Sequence, residues 1–446
     1  MEGILKNAGE IALHAVHARG LEGEAFLMYD RELNIDVSDG QVETLREAEQ
    51  MGLGLRVFNG GRMGFAYSSD LSEKAIEEMV ENAVHISEFT ATDEFNRFPE
   101  GDQAYPVIKT FDEGISAVTI ADKIDIAREA EIAARAFDPR IKLVERAGYE
   151  DSEYSSLVMN SRGLYAFGKG NYCGLQISLV ADEDDDTQNG FAFTMQREIA
   201  SLNPKSVGEE AAMKAVRSLG GRTIPSARIQ CIMDPYVVTR FMGLLSSSIE
   251  ADAVQKGKSM LADKMGRQVA SRPITLLDDG TNKDGIASFP FDGEGVASSR
   301  NMIIENGDLV GFLYDTNSGL KAGLKSTGNG IRGSFRSLPG VGTTNLMLQP
   351  GLDSQESLIG DIGQGFYITE VMGMHTANPI TGDFSVGAAG IMIEQGQLTF
   401  PVRGITVAGN LLRLLQDIEA VGNDLRFYGG KAAASIRLNS INIGGH

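Results

Sequence analysis

Neutral imidazole is a preferred zinc ligand and the usual proton carrier near neutral pH, so the histidines come first. There are five: His14, His17, His85, His375 and His446. None is followed by Glu, so the chain has no H-E-x-x-H metal helix. His14 and His17 stand three residues apart in a segment of helical periodicity, off its apolar face, and read as surface residues. The two cysteines, Cys173 and Cys231, lie far apart and outside any C-x-x-C pair. They read as small buried hydrophobes of a reducing compartment. The run Asp182-Glu183-Asp184-Asp185-Asp186 carries the charge for calcium. Counted from Asp182, however, an EF-hand loop would need Gly and Glu where Thr187 and Phe193 stand. A solvated hairpin tip is the simpler reading.

Other short matches fail on context. Gly328-Asn329-Gly330-Ile331-Arg332-Gly333 fits G-x-G-x-x-G, but it runs into Phe335-Arg336-Ser337-Leu338-Pro339, which opens no helix. A dinucleotide fingerprint needs that helix to hold the pyrophosphate. There is no Walker loop and no G-x-S-x-G elbow. Ser318-x-x-Lys321 and Ser246-Ser247-Ser248 offer hydroxyls, at a length that chance supplies in most long chains. Asp278 and Asp279 form a carboxylate pair in sequence, yet neighbours on a strand point to opposite faces.

The elements that would position such residues suggest three units. Of 446 residues, 42% are apolar, as in ordinary globular proteins. No run approaches the roughly 18 apolar residues of a membrane span. The N-terminus MEGILKNAGEIALHAVHARG lacks a basic start and a continuous apolar stretch, so it reads as no secretory signal, and a cytoplasmic location is expected. With 40 basic against 61 acidic residues the net charge is −21, a field that repels nucleic acid and anionic lipid. A first α+β unit, residues 1–95, opens with a helix whose apolar face is Ile4, Ala8, Ile11, Ala12 and Ala15. Strand-like runs follow around the turns Ser38-Asp39-Gly40 and Asn59-Gly60-Gly61, then a helix near Asp70 or Ser72. A second unit, 115–222, holds a helix over 119–137 and strands at 141–150, 154–167 and 172–181. It closes with a helix that Ser206 and Glu209 would cap as a box. The third, 226–446, is rich in glycine and turns. It reads as a mainly antiparallel β domain with helices over 235–255 and 408–421. The fold class is α+β.

Within that third unit the residues become specific. Val269-Ala270-Ser271, Leu277-Asp278-Asp279-Gly280-Thr281, Phe291-Asp292-Gly293-Glu294-Gly295, Ile304-Glu305-Asn306-Gly307 and Ser326-Thr327-Gly328-Asn329-Gly330-x-Arg332 form one series. Pro401-Val402-Arg403-Gly404, Gly409-Asn410 and Val421-Gly422-Asn423-Asp424 continue it, and Gly64-Phe65-Ala66 with Asp70-Leu71-Ser72 fits near the N-terminus. Together they resemble the TldD/PmbA family (also called putative modulators of DNA gyrase) over almost the whole chain. The resemblance implies an N-terminal α+β region and a C-terminal β domain enclosing a cavity. It also implies a zinc peptidase helix, His-Glu-x-x-x-His, completed by a later Cys. There the two His bind zinc and the Glu serves as base to the bound water.

This chain departs from that pattern. Registered on Glu250 and Lys256-Gly257-Lys258-Ser259, the two His positions fall on Met242 and Ser247, and the Glu position on Gly243. Near the expected Cys stands Phe427-Tyr428-Gly429-Gly430-Lys431. The resemblance therefore points to the PmbA (TldE) branch. It implies a subunit with no catalytic residue and no metal of its own, paired with a TldD-type subunit that carries the zinc and cuts peptides or unfolded protein. Asn329, Arg332 and His375 are its expected cavity groups. A homodimer of the lone chain is one further expectation. A regulatory protein-binding factor, or a peptidase using Ser or Asp, stands as the alternative.

Overall fold

The computed structural model describes residues 1–445. The N-terminal half comprises α1 (Glu2–His17), β1 (Glu22–Ser38), β2 (Gln41–Asn59), β3 (Arg62–Ser68), α2 (Glu73–Ser87), α3 (Glu113–Ala117) and α4 (Ile120–Phe137). Then come β4 (Ile141–Asn160), β5 (Tyr165–Glu183), β6 (Asp186–Gln196) and α5 (Pro204–Val216). All six strands belong to one sheet, in the order β3-β2-β1-β4-β5-β6, with every pair antiparallel. The sheet therefore runs through both expected N-terminal units, and its long strands serve two cores.

Because strand side chains alternate, each strand divides its residues between two faces. Ala25 and Leu27 of β1 pack with α1 and α2, and Leu33, Ile35 and Val37 farther along pack with α4 and α5. Cys173, Leu175, Ile177 and Leu179 extend that second core across β5. The opposite face carries Phe26, Val158 and Ala166, which pack against Phe291 and Phe335 of the C-terminal half. Local signals explain the turns. Asp39 and Gly40 both take positive φ, as do Gly60 and Gly61, and Ser72 caps α2 by accepting from the Ala75 N–H.

Several expectations need correction. The buried face of α1 is Leu5, Ala8, Gly9, Ala12 and Val16, and Ile4 is 55% exposed. The runs 141–150 and 154–167 are not two strands meeting mid-run. β4 continues to Asn160 because its partner β1 pairs with it from Glu24↔Asn160 to Val37↔Ala147. Asn203, not a Ser206–Glu209 box, caps α5, with its side chain accepting from the Ser206 N–H.

The C-terminal half adds β7 (Ala227–Met233), α6 (Pro235–Ser246), α7 (Ala251–Gln255), β8 (Leu276–Asp279), β9 (Arg300–Glu305), β10 (Asp308–Leu309), α8 (Thr316–Lys321), β11 (Gly330–Ile331) and β12 (Gly340–Val341). It continues with β13 (Leu346–Leu348), α9 (Gln355–Gly360), β14 (Gln364–Met372), β15 (Asp383–Glu394), β16 (Gln397–Asn410), α10 (Leu411–Gln416), β17 (Ile418–Val421), β18 (Arg426–Tyr428), β19 (Lys431–Ala433) and β20 (Ile436–Gly444). Strands β16, β15, β14, β7 and β20 close into a barrel through the β16–β20 pairing. A second sheet runs β10-β9-β8-β13-β19-β18. Most pairs are antiparallel, but β14–β7 and β13–β19 are parallel. Helix α6 packs between the two sheets, touching β14 and β19.

The helix expected over 235–255 breaks after Ser246. There Ser246 donates to the Gly243 carbonyl, Ser248 donates to Pro379 O, and Ala251 N–H bonds Leu313 O across a bridge from Glu250. Serine hydroxyls that bond backbone compete with helix continuation. The segment 408–421 is strand, a six-residue helix capped by Asn410, and strand again.

The halves dock through a close backbone approach. A Cβ built on Gly54 would lie 2.2 Å from the carbonyl oxygen of Phe335, and one on Gly52 2.3 Å from its ring. Only glycine lets the 334–337 loop lie on β2, and Phe335 is fully buried there. Phe335→Ala is expected to cost about 3–5 kcal/mol by urea denaturation, the range for removing a buried phenylalanine. A loss below about 1 kcal/mol would show that this loop does not fasten the halves.

Candidate functional site

Four charges meet at the docked face. Glu24 of β1 stands directly opposite Arg56 of β2, both on the side that faces the C-terminal half. Arg56 donates Nε to Glu24 Oε1 at 2.9 Å and Nη2 to Glu24 Oε2 at 2.8 Å. The same guanidinium reaches Glu294 Oε1 at 3.0 Å, and Arg332 donates to Glu24 from the other side. Side-chain exposure is 7% for Arg56, 2% for Glu294 and 0% for Glu24 and Arg332. Burial opposes the Arg56 charge, but Glu24 and Glu294 outweigh it and hold its pKa above the ordinary value. Burial likewise opposes the Glu294 charge, and Arg56 together with the Thr316 N–H reverses it, keeping that carboxyl below the usual range. Arg332 is pulled down to about 10 by burial, against the attraction of Glu24. Beside them burial and the Glu294 charge push Asp292 up to about 8, although the N–H groups of Glu294, Val296 and Gly330 bond it.

Next to this cluster a cavity of about 190 Å³ opens between the sheet and the C-terminal loops. Phe26 and Tyr154 line it from the sheet; Ala287, Phe289, Arg332 and Thr344 line it from the other side. Its walls are held from behind. Arg197 donates to the carbonyls of Gly285, Ile286 and Ser288, at 3.2, 2.7 and 2.6 Å, and fixes that loop. Asp278 accepts from Thr344 N (2.8 Å), Thr344 Oγ1 (2.7 Å) and Asn329 Nδ2 (2.8 Å). Behind Thr344 and Ala287 packs the β18–β19 hairpin. A Cβ on Gly430 would come 2.7 Å from Thr344 O and 3.6 Å from Ala287 Cβ. That hairpin also packs against α6, where a Cβ on Gly243 would lie 3.7 Å from Lys431 Cε.

The residues singled out from sequence fall into distinct places. Arg332 lines the cavity, its cation 4.9 Å from the centre of the Phe26 ring, with Nη1 unpaired. Asn329 is fully buried, its amide divided among Asp278, the Gly342 carbonyl, Asn301 and Thr327, so it braces the wall behind. His375 is exposed on a short turn over Met374–Thr376, apart from the cavity lining. Met242 is buried in the apolar core, Gly243 is exposed, and Ser247 ends α6. A buried thioether, a missing side chain and a neutral hydroxyl do not fit zinc, which takes thiolate, imidazole and carboxylate. Among the described residues no group of three or more His, Cys, Asp or Glu is placed to hold a metal. Both cysteines are buried and free. The serine–lysine match is structural: Ser318 shares a capping box with Asp315, and Lys321 pairs with Asp93 at 2.7 Å. No helix of the described residues is long and apolar enough to cross a membrane.

Sequence reasoning missed Glu24, Arg56 and Glu294. Only Arg56 leaves a local signal, a charge inside the apolar strand run Leu53–Phe58; Glu24 follows Glu22-Gly23 at a strand start, and Glu294 lies in a loop between β8 and β9.

Comparison with known proteins covers the whole chain. Models of the PmbA/TldA metallopeptidase family match as domain 1 at residues 23–87, the central domain at 113–219 and the C-terminal domain at 226–445. A protein named Metalloprotease PmbA from Escherichia coli is 30% identical, covering 99% of this chain and 96% of that protein. A Metalloprotease PmbA homolog from Haemophilus influenzae is 28% identical over 99% of this chain and 96% of its own length. A solved Thermotoga maritima protein, described as a candidate modulator of a DNA gyrase, superposes with a TM-score of 0.92 at 29% identity, covering 98% of this chain and all of that one. TldE from Thermococcus kodakarensis shares the fold, with a TM-score of 0.90 at 23% identity over 99% of this chain and 100% of its own.

Breaking one member of the charge cluster should strand its partner. Glu24→Gln or Arg332→Met alone is expected to cost about 3–5 kcal/mol. The double variant should cost clearly less than the sum, as read by a double-mutant denaturation cycle. Strict additivity would show the pair uncoupled.

Proposed function

The chain belongs to the PmbA/TldD metallopeptidase family, and from that premise we propose that it is a non-catalytic subunit of a zinc peptidase complex. It supplies one wall of a peptide cleft, and a TldD-type partner supplies the zinc and the general base. The observation that carries this reading is α6. The helix keeps its place between the sheets and beside the β18–β19 hairpin, while the positions that resemblance assigns to ligands and base hold Met242, Gly243 and Ser247.

The cleft supports a peptide ligand. It is lined by aromatic rings and a few fixed polar groups, the composition of binding pockets. Strand-lined walls bind extended chains through backbone hydrogen bonds. The net charge of −21 disfavours direct contact with nucleic acid and leaves a protein or peptide as the partner class. With the expected cytoplasmic location, the complex would act in turnover or maturation of peptides.

The test uses the purified chain, alone and mixed with a TldD-type subunit, on an unfolded polypeptide. The chain alone is expected to cut nothing and to hold well under one zinc per molecule by metal analysis. The mixture should cleave, and a chelator should abolish the cleavage. Chelator-resistant cleavage by the chain alone, or stoichiometric zinc in it, would overturn the reading.

A further inference from the structure

We propose that the cleft takes up an aromatic side chain of a bound peptide, seated against the rings of Phe289 and Tyr154. This rests on the peptide-binding reading and adds a substrate class to it. Tyr154 and Ser156 stand two residues apart on β4 and so share a face, and their cross-strand partners on β5 are Gly170 and Gly168. The missing side chains make room for rings. A Cβ on Gly170 would lie 2.5 Å from the Tyr154 hydroxyl oxygen, and one on Gly168 2.6 Å from Phe289 Cζ. The two rings therefore lie over β5 side by side, with centres 5.8 Å apart. Phe289 in turn meets the Phe291 ring edge-on, at 4.9 Å and 70°. Aromatic pairs favour such offset and edge-on contacts, and the free faces and edges of the set can take one ring more.

The rings are reachable, and the charges are not. Phe289 and Tyr154 are half-buried, and Ala287 and Ile331 at the rim are exposed. Arg332 is wholly shielded: it donates to Glu24 and the Gly293 carbonyl and holds its cation over Phe26. Asp292 is buried and accepts from three backbone N–H groups. Neither charge is presented to a ligand, so the apolar rings decide what enters. The walls are kept from closing on one another. Asn345 accepts the Ala287 N–H at 3.0 Å and donates to Ser288 Oγ and the Asp279 carbonyl, at 2.9 and 2.7 Å. The Phe289 N–H bonds the Gly280 carbonyl, so with Arg197 the whole 285–289 loop is tied down.

Size fits the same guest. The cavity measures about 190 Å³, and an apolar cavity of roughly 150 Å³ is enough to take up benzene. A phenyl ring on its methylene can enter, carried by a backbone that stays outside. A methyl group would leave most of the ring surface wet, and a cationic side chain would lose water without gaining a partner.

Fluorescence polarisation of the full chain with labelled penta-alanine amides tests this. Four probes carry Ala, Phe, Leu or Lys at the centre. High ionic strength keeps the net charge of −21 from favouring the Lys probe. The Phe probe is expected to bind at least about tenfold more tightly than the Ala probe, the scale of burying one phenyl ring. The Leu probe should gain less, and the Lys probe nothing. Ala287→Trp, which brings a ring of the chain's own to the cavity from an exposed position, should remove the Phe preference, and Phe289→Leu should reduce it. Equal binding of all four probes by the unaltered chain would overturn the proposal while leaving peptide binding intact. So would a Lys gain equal to the Phe gain, or a Phe preference undiminished in Ala287→Trp. No binding of any probe would overturn both the proposal and the peptide reading.

Discussion

The contact between Glu24, Arg56, Glu294 and Arg332 is the constraint on which the rest of the structure depends. Two carboxylates and two guanidinium groups are withdrawn from water together. Desolvation costs several kcal/mol per ion, and only close, well-aligned partners offset it. Such a cluster is therefore weak evidence for stability and strong evidence for registration. The sheet presents its half of the cluster ready-made, because Glu24 and Arg56 are cross-strand neighbours. The C-terminal half must bring Glu294 and Arg332 to that pair, and the Thr316 N–H and Gly293 carbonyl hold them there. Those residues border the loops that line the cavity, so the charge cluster also sets the shape of the cleft.

Strand alternation makes this docking possible without sacrificing the N-terminal cores. Ala25 and Leu27 serve the helix side while Glu24 and Phe26 serve the domain interface. The sheet consequently carries helices on one face and the C-terminal half on the other. Glycines at 52 and 54 remove the side chains that would hold Phe335 away. The cavity is lined largely by aromatic rings, and polar networks behind that lining hold its walls in place. Arg197 ties the 285–288 loop by its carbonyls, and Asp278 ties Thr344 to Asn329. A fully satisfied network of that kind is stiff, and stiffness keeps a cleft from collapsing.

What the sequence makes legible follows the range of the interactions involved. The turns at Asp39-Gly40 and Asn59-Gly60-Gly61 are encoded within a few residues, and so is the Ser72 cap. The continuity of β2 and β4 is not, since the polar stretches at 43–50 and 151–153 interrupt the apolar pattern and only a partner strand carries the chain through them. The apolar spacing alone runs on past Ser246, where serine hydroxyls bond backbone and the distant Pro379 and Leu313 take over the chain that follows. Arg332 is recognisable as a polar group of the cavity region, but its binding to Glu24 spans 308 residues and leaves no local mark. Asn329 looks like a cavity group by type, and what decides its place is Asp278, which satisfies it from behind.

The braced cavity bears on what the proposed metal-free subunit would contribute. Groups held rigidly by packing and hydrogen bonds bind a substrate and its transition state almost equally when the reacting carbonyl is polarised elsewhere. Uniform binding lowers KM and leaves kcat to whichever subunit stabilises the developing charge. A wall of this kind would still govern the proposed reaction, because a peptide held against it would present a fixed bond to a metal in the partner, and positioning alone removes much of the entropic barrier. Under that proposal, an α6 that carries Met242, Gly243 and Ser247 in place of ligands is compatible with retention of everything around it. The charge cluster, the glycine contacts and the braced loops fix where a chain can lie, and they need no metal to do so.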